Sequence, residues 1–460
     1  MDRKKLTFLL DWLGNEERRK PLIIRGARQV GKTTLVRMLA ESSRRRLVLI
    51  NLERHVELDA IFATLNLPKI IAALESLPGA GVIDDNCLLF FDEIQATPHA
   101  LAALRYFYEE RPHLPLVAAG SLLEFVLADH SFSMPVGRVR FMNLDPMSFE
   151  EFLLALKEDI LLQRLQTFGL NEGIDRIAHQ RLTELFKTYT YVGGMPEAVA
   201  VWIASGSPLR VREVHDSLTD TYKADFAKYG LKRDLQDLHI LFDKATRSVG
   251  QKVKYSALLQ DEQSRTVRRL LDLLVGARLF YKIFHSDCQG LPLRAGIDDK
   301  VFKLLMLDVG LFNAVRRFEW SGLDQELTTA VAHRGALAEQ LVGQELTASD
   351  GARADGELVY WLRDKRGNNA EIDYVMAYEG QIIPIEVKSG ESGTLKSLFV
   401  FAEAHGSRQV VRFDLNVPSS QTVTHTIKGA KTSVVKVNLI SLPLYATSQL
   451  ARILRNAPPL

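Results

Sequence analysis

Residues 21–34, PLIIRGARQVGKTT, decide the fold of the first part of the chain. The apolar run PLIIR is typical of a buried β-strand, and the pattern TTLVRMLA, which begins at Thr33, predicts a helix directly after the loop. Between them stands Gly26-x-x-x-x-Gly31-Lys32-Thr33, a glycine-containing loop that can turn backbone N–H groups toward anionic oxygens. The alternative is a glycine turn before an amphipathic helix, with no ligand.

We interpret this loop as a binding site for the phosphates of a nucleotide. The positive end of the helix dipole adds to the attraction for anions. Lys32 can reach the β- and γ-phosphates, and Thr33 offers a hydroxyl group to Mg²⁺. The predicted nucleotide-binding residues are Gly26, Ala27, Arg28, Gln29, Val30, Gly31, Lys32, Thr33 and Thr34.

Apolar strand patterns alternate with helical patterns as far as residue 147. This alternation predicts an α/β fold with a parallel sheet that is covered on both faces. Beside PLIIR, the predicted strands are RLVLINL (46–52), CLLFFDE (87–93), PLVAAGS (115–121) and VRFMNL (139–144), and HALAALRYFYEE (99–110) is the predicted helix.

Asp92 and Glu93 end the predicted strand CLLFFDE. Parallel sheets bind ligands at the carboxyl edge of their strands. We therefore expect Asp92 to hold Mg²⁺ through water and Glu93 to orient or deprotonate a hydrolytic water. Ser121 ends the next strand, where it is either a contact of the attacking water or γ-phosphate, or a turn serine.

Two arginines, Arg138 and Arg140, precede the last predicted strand of this part. Nucleotide hydrolysis gains from a cation supplied to the γ-phosphate, often by a neighbouring subunit. Arg138, which follows a glycine, is the better candidate for this catalytic role. The alternative for either residue is an ordinary surface arginine.

The composition is that of an ordinary globular protein. At about 150 residues per domain, 460 residues predict about three domains. A hydrophobic fraction of 47% and a charged fraction of 25% exclude collagen-like and wholly disordered chains. The net charge of +2 is too small to indicate a strongly charged partner such as a nucleic acid. Two cysteines, Cys87 and Cys288, form neither a disulfide framework nor a metal-binding spacing.

The N-terminal pattern favours an amphipathic helix over a signal peptide. Residues 1–20 predict an amphipathic helix, because Asp11 interrupts the apolar stretch and no small-residue cleavage site follows. No uncharged apolar run reaches the roughly 18 residues of a transmembrane helix. We expect a cytoplasmic protein without a membrane partner.

A helical pattern begins near residue 148 and gives way to a winged-helix pattern. Residues 231–315 predict a helix, a short helix, a third helix and a β-hairpin. The third helix, SRTVRRLLDLL, carries Arg265, Arg268 and Arg269 opposite its apolar face. These arginines suit a DNA backbone or major groove, whereas a solvated face or a protein-binding module is the alternative.

Residues 326–460 predict a separate α/β module with a candidate metal site. Asp373 lies on one strand, and Glu386 and Lys388 lie on one face of the next. Two carboxylates can hold Mg²⁺ while a lysine steers water toward a phosphodiester, and Glu339 on the preceding helix could complete the site. The alternative is a salt-bridged pair, although unpaired charges in the apolar run IIPIEVK would be costly.

The chain resembles a large bacterial and archaeal family of AAA-type P-loop ATPases that carry a C-terminal domain of unknown function with a nuclease-like fold. The matching motifs span nearly the whole chain in the family's order. They are GARQVGKTT, LLFFDEIQ, AAGSLL, VGRVRFMNLDPMSFEEFL, YVGGMPEAV, LMLDVGL, GALAEQLVGQEL, AEIDYV and IPIEVKS.

This resemblance implies an ATPase core at 21–147, a helical lid at 148–230, the winged helix at 231–315 and a restriction-endonuclease-like PD-(D/E)xK domain at 326–460. It further implies that ATP is preferred over GTP. By the same resemblance Lys32, Thr33, Asp92 and Glu93 carry ATP binding and hydrolysis, with Mg²⁺ as cofactor. A homo-oligomer such as a hexameric ring, with Arg138 acting between subunits, is also implied.

Three functions follow as hypotheses. The first is an ATPase that couples hydrolysis to binding or remodelling of DNA. The second is a regulatory switch, in which ATP controls assembly and the later domains bind proteins. The third is a genuine Mg²⁺-dependent nuclease.

Overall fold

The computed structural model describes residues 1–15, 17, 19–128, 137–260, 262–320, 335–348, 358–363, 369–388, 390, 394–427 and 432–457. By their contacts the residues form two compact units. The first unit comprises Met1–Pro146 with Gly276–Leu279, and the second comprises Met147–Val275 with Phe280–Leu460.

The first unit is built on a five-stranded parallel sheet. Its order is β2-β3-β4-β1-β5. Every residue of the central strands β3 and β4 is buried, as expected of runs that are apolar except for the final Asp92 of β3. The strands are β1 (Leu22–Arg25), β2 (Arg46–Asn51), β3 (Cys87–Asp92), β4 (Leu116–Gly120) and β5 (Arg140–Asn143).

Six helices accompany this sheet in the described part of the first unit. The Phe91 ring on β3 meets Phe62 and Phe107 edge-on, at 5.6 and 5.8 Å between ring centroids, and so joins the sheet to two helices. The predicted strands, the helix at 99–110 and the parallel sheet are confirmed. The helices are α1 (Lys5–Gly14), α2 (Lys32–Ser43), α3 (Leu58–Phe62), α4 (Leu67–Glu75), α5 (Pro98–Glu110) and α6 (Leu123–Ala128).

The second unit begins with a long run of helices, as the pattern from residue 148 predicts. The first, α7, starts with a reciprocal capping box between Ser148 and Glu151. The helices are α7 (Phe149–Ala155), α8 (Asp159–Thr167), α9 (Arg176–Val192), α10 (Pro196–Ser205), α11 (Pro208–Tyr229), α12 (Leu235–Arg247), α13 (Tyr255–Leu258) and α14 (Ser264–Gly276), whose last residue is grouped with the first unit.

An eight-stranded mixed sheet forms the rest of the second unit. Its order is β12-β13-β11-β10-β9-β8-β6-β7. The strands are β6 (Phe280–Ser286), β7 (Ile297–Met306), β8 (Val359–Arg363), β9 (Ala370–Tyr378), β10 (Gln381–Val387), β11 (Gln409–Asp414), β12 (Ser419–Ile427) and β13 (Ser433–Pro443). In the described part of this unit four helices accompany them: α15 (Val309–Val315), α16 (Gly335–Ala348), α17 (Lys396–His405) and α18 (Leu450–Asn456).

The hairpin β6–β7 does not stand apart from the later strands. It is the hairpin predicted as the wing of the winged helix, and it pairs with β8 of the predicted C-terminal module through His285 and Tyr360. Three helices and the hairpin follow one another in the predicted order, and a helix that was not predicted, α15, comes after the hairpin. The winged-helix assignment remains a prediction. The five-part domain division remains a prediction, and residues 326–334 of its last part lie outside the described residues.

No helix in the described part of the chain is long and apolar enough to span a membrane.

Candidate functional site

The predicted phosphate loop connects the end of β1 to the start of α2. Gly31 adopts a left-handed conformation, with φ of 94°, and caps the helix. Gly26 packs directly on the backbone of Leu144, because a Cβ atom there would lie 2.3 Å from the Leu144 carbonyl oxygen. These positions require glycine for steric reasons, which the spacing of the motif anticipates.

The side chain of Lys32 lies inside this loop. Its ammonium group donates to the carbonyl oxygens of Gly26 at 3.0 Å and Ala27 at 2.8 Å, and the residue is only 7% exposed. Burial lowers the pKa of Lys32 to about 8, although Glu93 and Asp92 counteract the shift. A buried cation held by neutral carbonyl groups is suited to exchange them for phosphate oxygens.

Thr33 and Asp92 meet as the sequence predicts. The Thr33 hydroxyl group donates to Oδ2 of Asp92 at 2.9 Å, so the start of α2 and the end of β3 converge. Burial raises the pKa of Asp92 above its ordinary value. A hydroxyl oxygen and a carboxylate at one point are the hard oxygen ligands that Mg²⁺ prefers, so the residues fit the cofactor.

Glu93 lies beside this pair and is held by two neighbours. Its Oε2 atom accepts a hydrogen bond from the Ser121 hydroxyl group at 3.4 Å and another from the Gln95 side chain. Glu93 itself has a left-handed backbone, with φ of 54°. The strand ends of β3 and β4 therefore bring together Glu93 and Ser121, two predicted catalytic residues.

Three residues at this site escaped the sequence analysis. Gln95 stands in the quoted motif LLFFDEIQ, but its contact with Glu93 depends on how the chain turns after β3. Arg3 donates to the carbonyl oxygens of Val30 at 2.8 Å and Asp145 at 2.7 Å, and so fixes the loop from the N-terminal segment. Arg278 lies near enough for its charge to help lower the pKa of Lys32.

Other predicted loop residues play a smaller part in the geometry. Ala27 and Val30 are buried, Arg28 is half-buried, and Gln29 and Thr34 are exposed. Gln29 adopts a left-handed conformation, with φ of 62°, within the loop.

Arg138 does not reach the phosphate loop of its own chain. Arg140 pairs with Leu22 at the start of β1, whereas the loop follows Arg25 at the end of that strand. These levels are three residues apart along β1, on the order of 10 Å, and Arg138 precedes Arg140 by two further residues. Arg138 instead binds Glu109 at 3.0 Å, with 46% of its side chain exposed, and its predicted catalytic role remains one toward a neighbouring copy.

The predicted DNA-binding face of α14 is partly occupied by internal ion pairs. Arg269 binds both carboxylate oxygens of Asp234, at 2.7 and 2.9 Å, and this contact lowers the pKa of Asp234. Arg268 binds Asp299 at 3.1 Å. Arg265 is exposed, and no ion pair is found for it within the described residues.

The predicted metal site of the second unit contains a lysine that the sequence analysis did not single out. The ammonium group of Lys303, on β7, lies 2.9 Å from Glu339, 2.6 Å from Glu371 and 3.3 Å from Asp373. The sequence does hold a signal, since Lys303 interrupts the apolar run VFKLLMLD, where an unpaired charge would be costly.

The other predicted members of this cluster are also in contact. Lys388 forms an ion pair with Oε1 of Glu386, and Oδ2 of Asp373 accepts from the Val387 backbone N–H at 2.8 Å. Burial, with the nearby charge of Asp373, raises the pKa of Glu339 to about 8 and that of Glu386 to about 7. Glu339 and Asp373 thus meet at Lys303, and the pair of Glu386 and Lys388 lies near enough for the charge of Asp373 to act on Glu386.

This cluster does not fit a catalytic Mg²⁺ ion in its present form. Among the residues that the structure describes, no three His, Cys, Asp or Glu side chains are arranged to hold a metal ion. Glu339 and Asp373 already share the Lys303 ammonium group, and Glu386 is bound to Lys388. The contacts correspond to the ion-paired alternative of the sequence analysis.

The first unit has the fold of a P-loop domain. A strand, a glycine-containing loop with a buried lysine and a helix follow one another, and a threonine–aspartate pair lies at the carboxyl edge of a parallel sheet. More particularly, residues 18–153 match the sequence model of a family described as an AAA domain, so this part of the chain is an AAA-type ATPase-like domain.

Two further family matches name no function. Residues 183–322 match a domain of unknown function (DUF8612), and residues 334–430 match another (DUF4143). A search of curated proteins gives no match.

Similar solved structures include three with low overall similarity. The ORC2 protein of Aeropyrum pernix is 15% identical with a TM-score of 0.31, and the match covers 68% of this chain and 91% of that one. The RuvB Holliday junction branch migration motor of Thermotoga maritima is 19% identical with a TM-score of 0.28, with 61% and 87% covered. PCH-2 of C. elegans is 16% identical with a TM-score of 0.25, with 44% and 62% covered. At these scores the matches carry no argument about function.

Proposed function

We propose that this protein binds ATP with Mg²⁺ at the P-loop and hydrolyses it. The observation that carries the proposal is the hydrogen bond between Thr33 and Asp92 beside the buried ammonium group of Lys32. Two of these groups belong to the first residues of α2 and the third to the end of β3, and their meeting point offers one cation and two oxygen ligands.

Each residue has a separate part in this proposal. Lys32 exchanges its two carbonyl partners for phosphate oxygens, and Gly31 and the N–H groups at the start of α2 face the same anion. Thr33 and Asp92 would hold Mg²⁺, which when bound neutralises charge on the phosphates. Glu93 orients the attacking water and accepts its proton, while Ser121 and Gln95 fix the carboxylate.

The test compares steady-state ATP hydrolysis by the wild type with Lys32→Ala and Glu93→Gln. Lys32→Ala should lose binding and turnover together, because it removes the cation inside the loop. Glu93→Gln should still bind ATP but lose turnover by on the order of 100-fold or more, because an amide cannot accept the proton.

Lys69→Ala provides a matched control for the removal of a lysine. Lys69 is an exposed residue of α4 in the same unit, so its loss should leave turnover unchanged. Turnover by Lys32→Ala at the wild-type rate would refute the proposed site.

We further propose that hydrolysis is coupled to binding or remodelling of DNA. Support comes from the arrangement of helices followed by a hairpin over 231–315 and from the exposed Arg265 on α14. Single-stranded, duplex and junction DNA should then raise the rate of ATP turnover. A rate indifferent to every DNA in this panel would contradict the coupling.

A regulatory switch controlled by ATP is the second candidate. The ion pairs of Arg268 with Asp299 and of Arg269 with Asp234 favour it, because these guanidinium groups already serve the fold. It predicts slow hydrolysis and an oligomer whose size, measured by sedimentation, depends on the nucleotide. A Mg²⁺-dependent nuclease has less support, since Lys303 and Lys388 pair with the carboxylates that would bind the metal.

A further inference from the structure

The carboxylate cluster of the second unit is built around a cation that belongs to the chain itself. Lys303 lies within β7, and the residue is 2% exposed. Its ammonium group contacts three carboxylates, from α16 and β9, at 2.6 to 3.3 Å. The Tyr360 ring, on β8, has its centroid 5.5 Å from the same nitrogen.

These contacts use the oxygens that a metal ion would need. Mg²⁺ requires carboxylate oxygens at about 2.0–2.1 Å in near-octahedral geometry. Oε2 of Glu339 and Oδ1 of Asp373 both contact the ammonium group, and Oδ2 of Asp373 accepts a backbone N–H. A metal ion could bind only after Lys303 had left three carboxylates and remained buried without a counter-ion, which is strongly unfavourable.

The cluster nevertheless holds more carboxyl groups than lysines. Glu339, Glu371, Asp373 and Glu386 face two lysines, Lys303 and Lys388. Oε2 of Glu386 is buried and has no hydrogen-bond partner within the described residues. Removal of one lysine therefore leaves several carboxylate oxygens that need a cation.

We infer that the Lys303 ammonium group replaces a divalent metal ion among Glu339, Glu371 and Asp373, so that the cluster binds no catalytic metal and loss of this lysine opens a divalent-cation site. In this role Lys303 also ties the hairpin β6–β7 to β9 and α16. The inference is independent of the proposed ATPase, because every group in it belongs to the second unit.

Binding of Mn²⁺ by the full chain, without nucleotide, tests this inference. Calorimetry and electron paramagnetic resonance count the bound ions for the wild type, Asp373→Asn, Lys303→Gln and Lys303→Arg. Wild type and Asp373→Asn should bind the same number. Lys303→Gln should bind one more ion, and Lys303→Arg should not, because it keeps a cation in place.

The double variant Lys303→Gln with Asp373→Asn should lose the additional ion. A Mn²⁺ site in the wild type that Asp373→Asn removes would overturn the inference, and so would a folded Lys303→Gln variant that gains no ion. Circular dichroism shows whether the variants fold. If Lys303→Gln does not, the comparison of wild type with Asp373→Asn still decides whether the native cluster holds a metal.

Discussion

Lys32 shows how burial and charge set the chemistry of a single residue. Its ammonium group is enclosed by the phosphate loop, and burial lowers the pKa of Lys32 to about 8. Asp92 and Glu93 keep the charged form from being lost altogether. Phosphate oxygens would favour that charged form further, and so raise the pKa when a nucleotide binds.

We therefore expect nucleotide binding to take up a proton at high pH. Below pH 8 Lys32 is already charged, and affinity should not depend on this group. Above pH 8 the free protein increasingly holds neutral Lys32, so ATP affinity should fall by up to tenfold per pH unit. Calorimetry at pH 7.0 and 9.0, in two buffers that differ in ionisation enthalpy, measures the proton uptake directly. Equal affinity and no proton uptake at pH 9.0 would contradict this expectation.

Among the helices of the second unit, the Asp308 carboxylate joins the start of α15 to the glycines that follow α9. It precedes α15, and its Oδ1 atom accepts from the N–H groups of Gly310 at 2.9 Å and Leu311 at 3.1 Å. Its Oδ2 atom accepts from Gly194 at 2.6 Å, after the end of α9. Gly193 must be a glycine here, because its φ is 70° and a Cβ atom would lie 2.2 Å from the Asp308 carboxylate.

Asp308→Asn should destabilise the second unit by roughly 1–3 kcal/mol, because an amide nitrogen cannot accept and one buried N–H group loses its partner. Equilibrium unfolding in urea at pH 7.5 measures the change. Asp216→Asn is the matched control, since Asp216 lies on the exposed side of α11 with 57% of its side chain accessible. Equal stability of the two variants would show that the contact contributes nothing.

For the molecule as a whole, the position of Arg138 means that this residue could assist hydrolysis only if two or more copies of the chain assemble. The residue lies at the amino end of β5, and the phosphate loop lies at the carboxyl end of β1. An arginine that assists hydrolysis from this position must therefore act on the site of another copy.

We expect Arg138→Ala to lose turnover, and expect a mixture with Lys32→Ala to recover part of it. In a mixed assembly the intact loop of one variant would face the intact arginine of the other. ATP hydrolysis at constant total protein measures the recovery. Arg105→Ala is the matched control, because Arg105 is also exposed and also binds Glu109 at 3.0 Å. Full activity of Arg138→Ala alone would remove the residue from the catalytic machinery.

Local features of the chain were predictable because they depend on neighbours in sequence. The glycine spacing before Lys32, the apolar strands and the acidic pair at 92–93 each follow from patterns a few residues long. Gln95, Arg3 and Asp308 were not predicted, because their partners lie across turns or far along the chain. The ion pairs of Arg268 and Arg269 were hidden for the same reason.

The sequence by itself determined the parallel sheet and the phosphate loop, because apolar periodicity and the spacing of the glycines are local. It also placed Glu386 and Lys388 on one face of a strand, because side chains alternate along a strand. Only the tertiary structure decided that the hairpin β6–β7 extends the later sheet, and that Lys303 enters the carboxylate cluster. A charged residue within an apolar stretch of sequence indicates that its side chain will form an ion pair or hydrogen bond, because an unpaired buried charge is costly. The identity of the partner depends on the order of the strands, which is set by packing between segments that are distant in sequence.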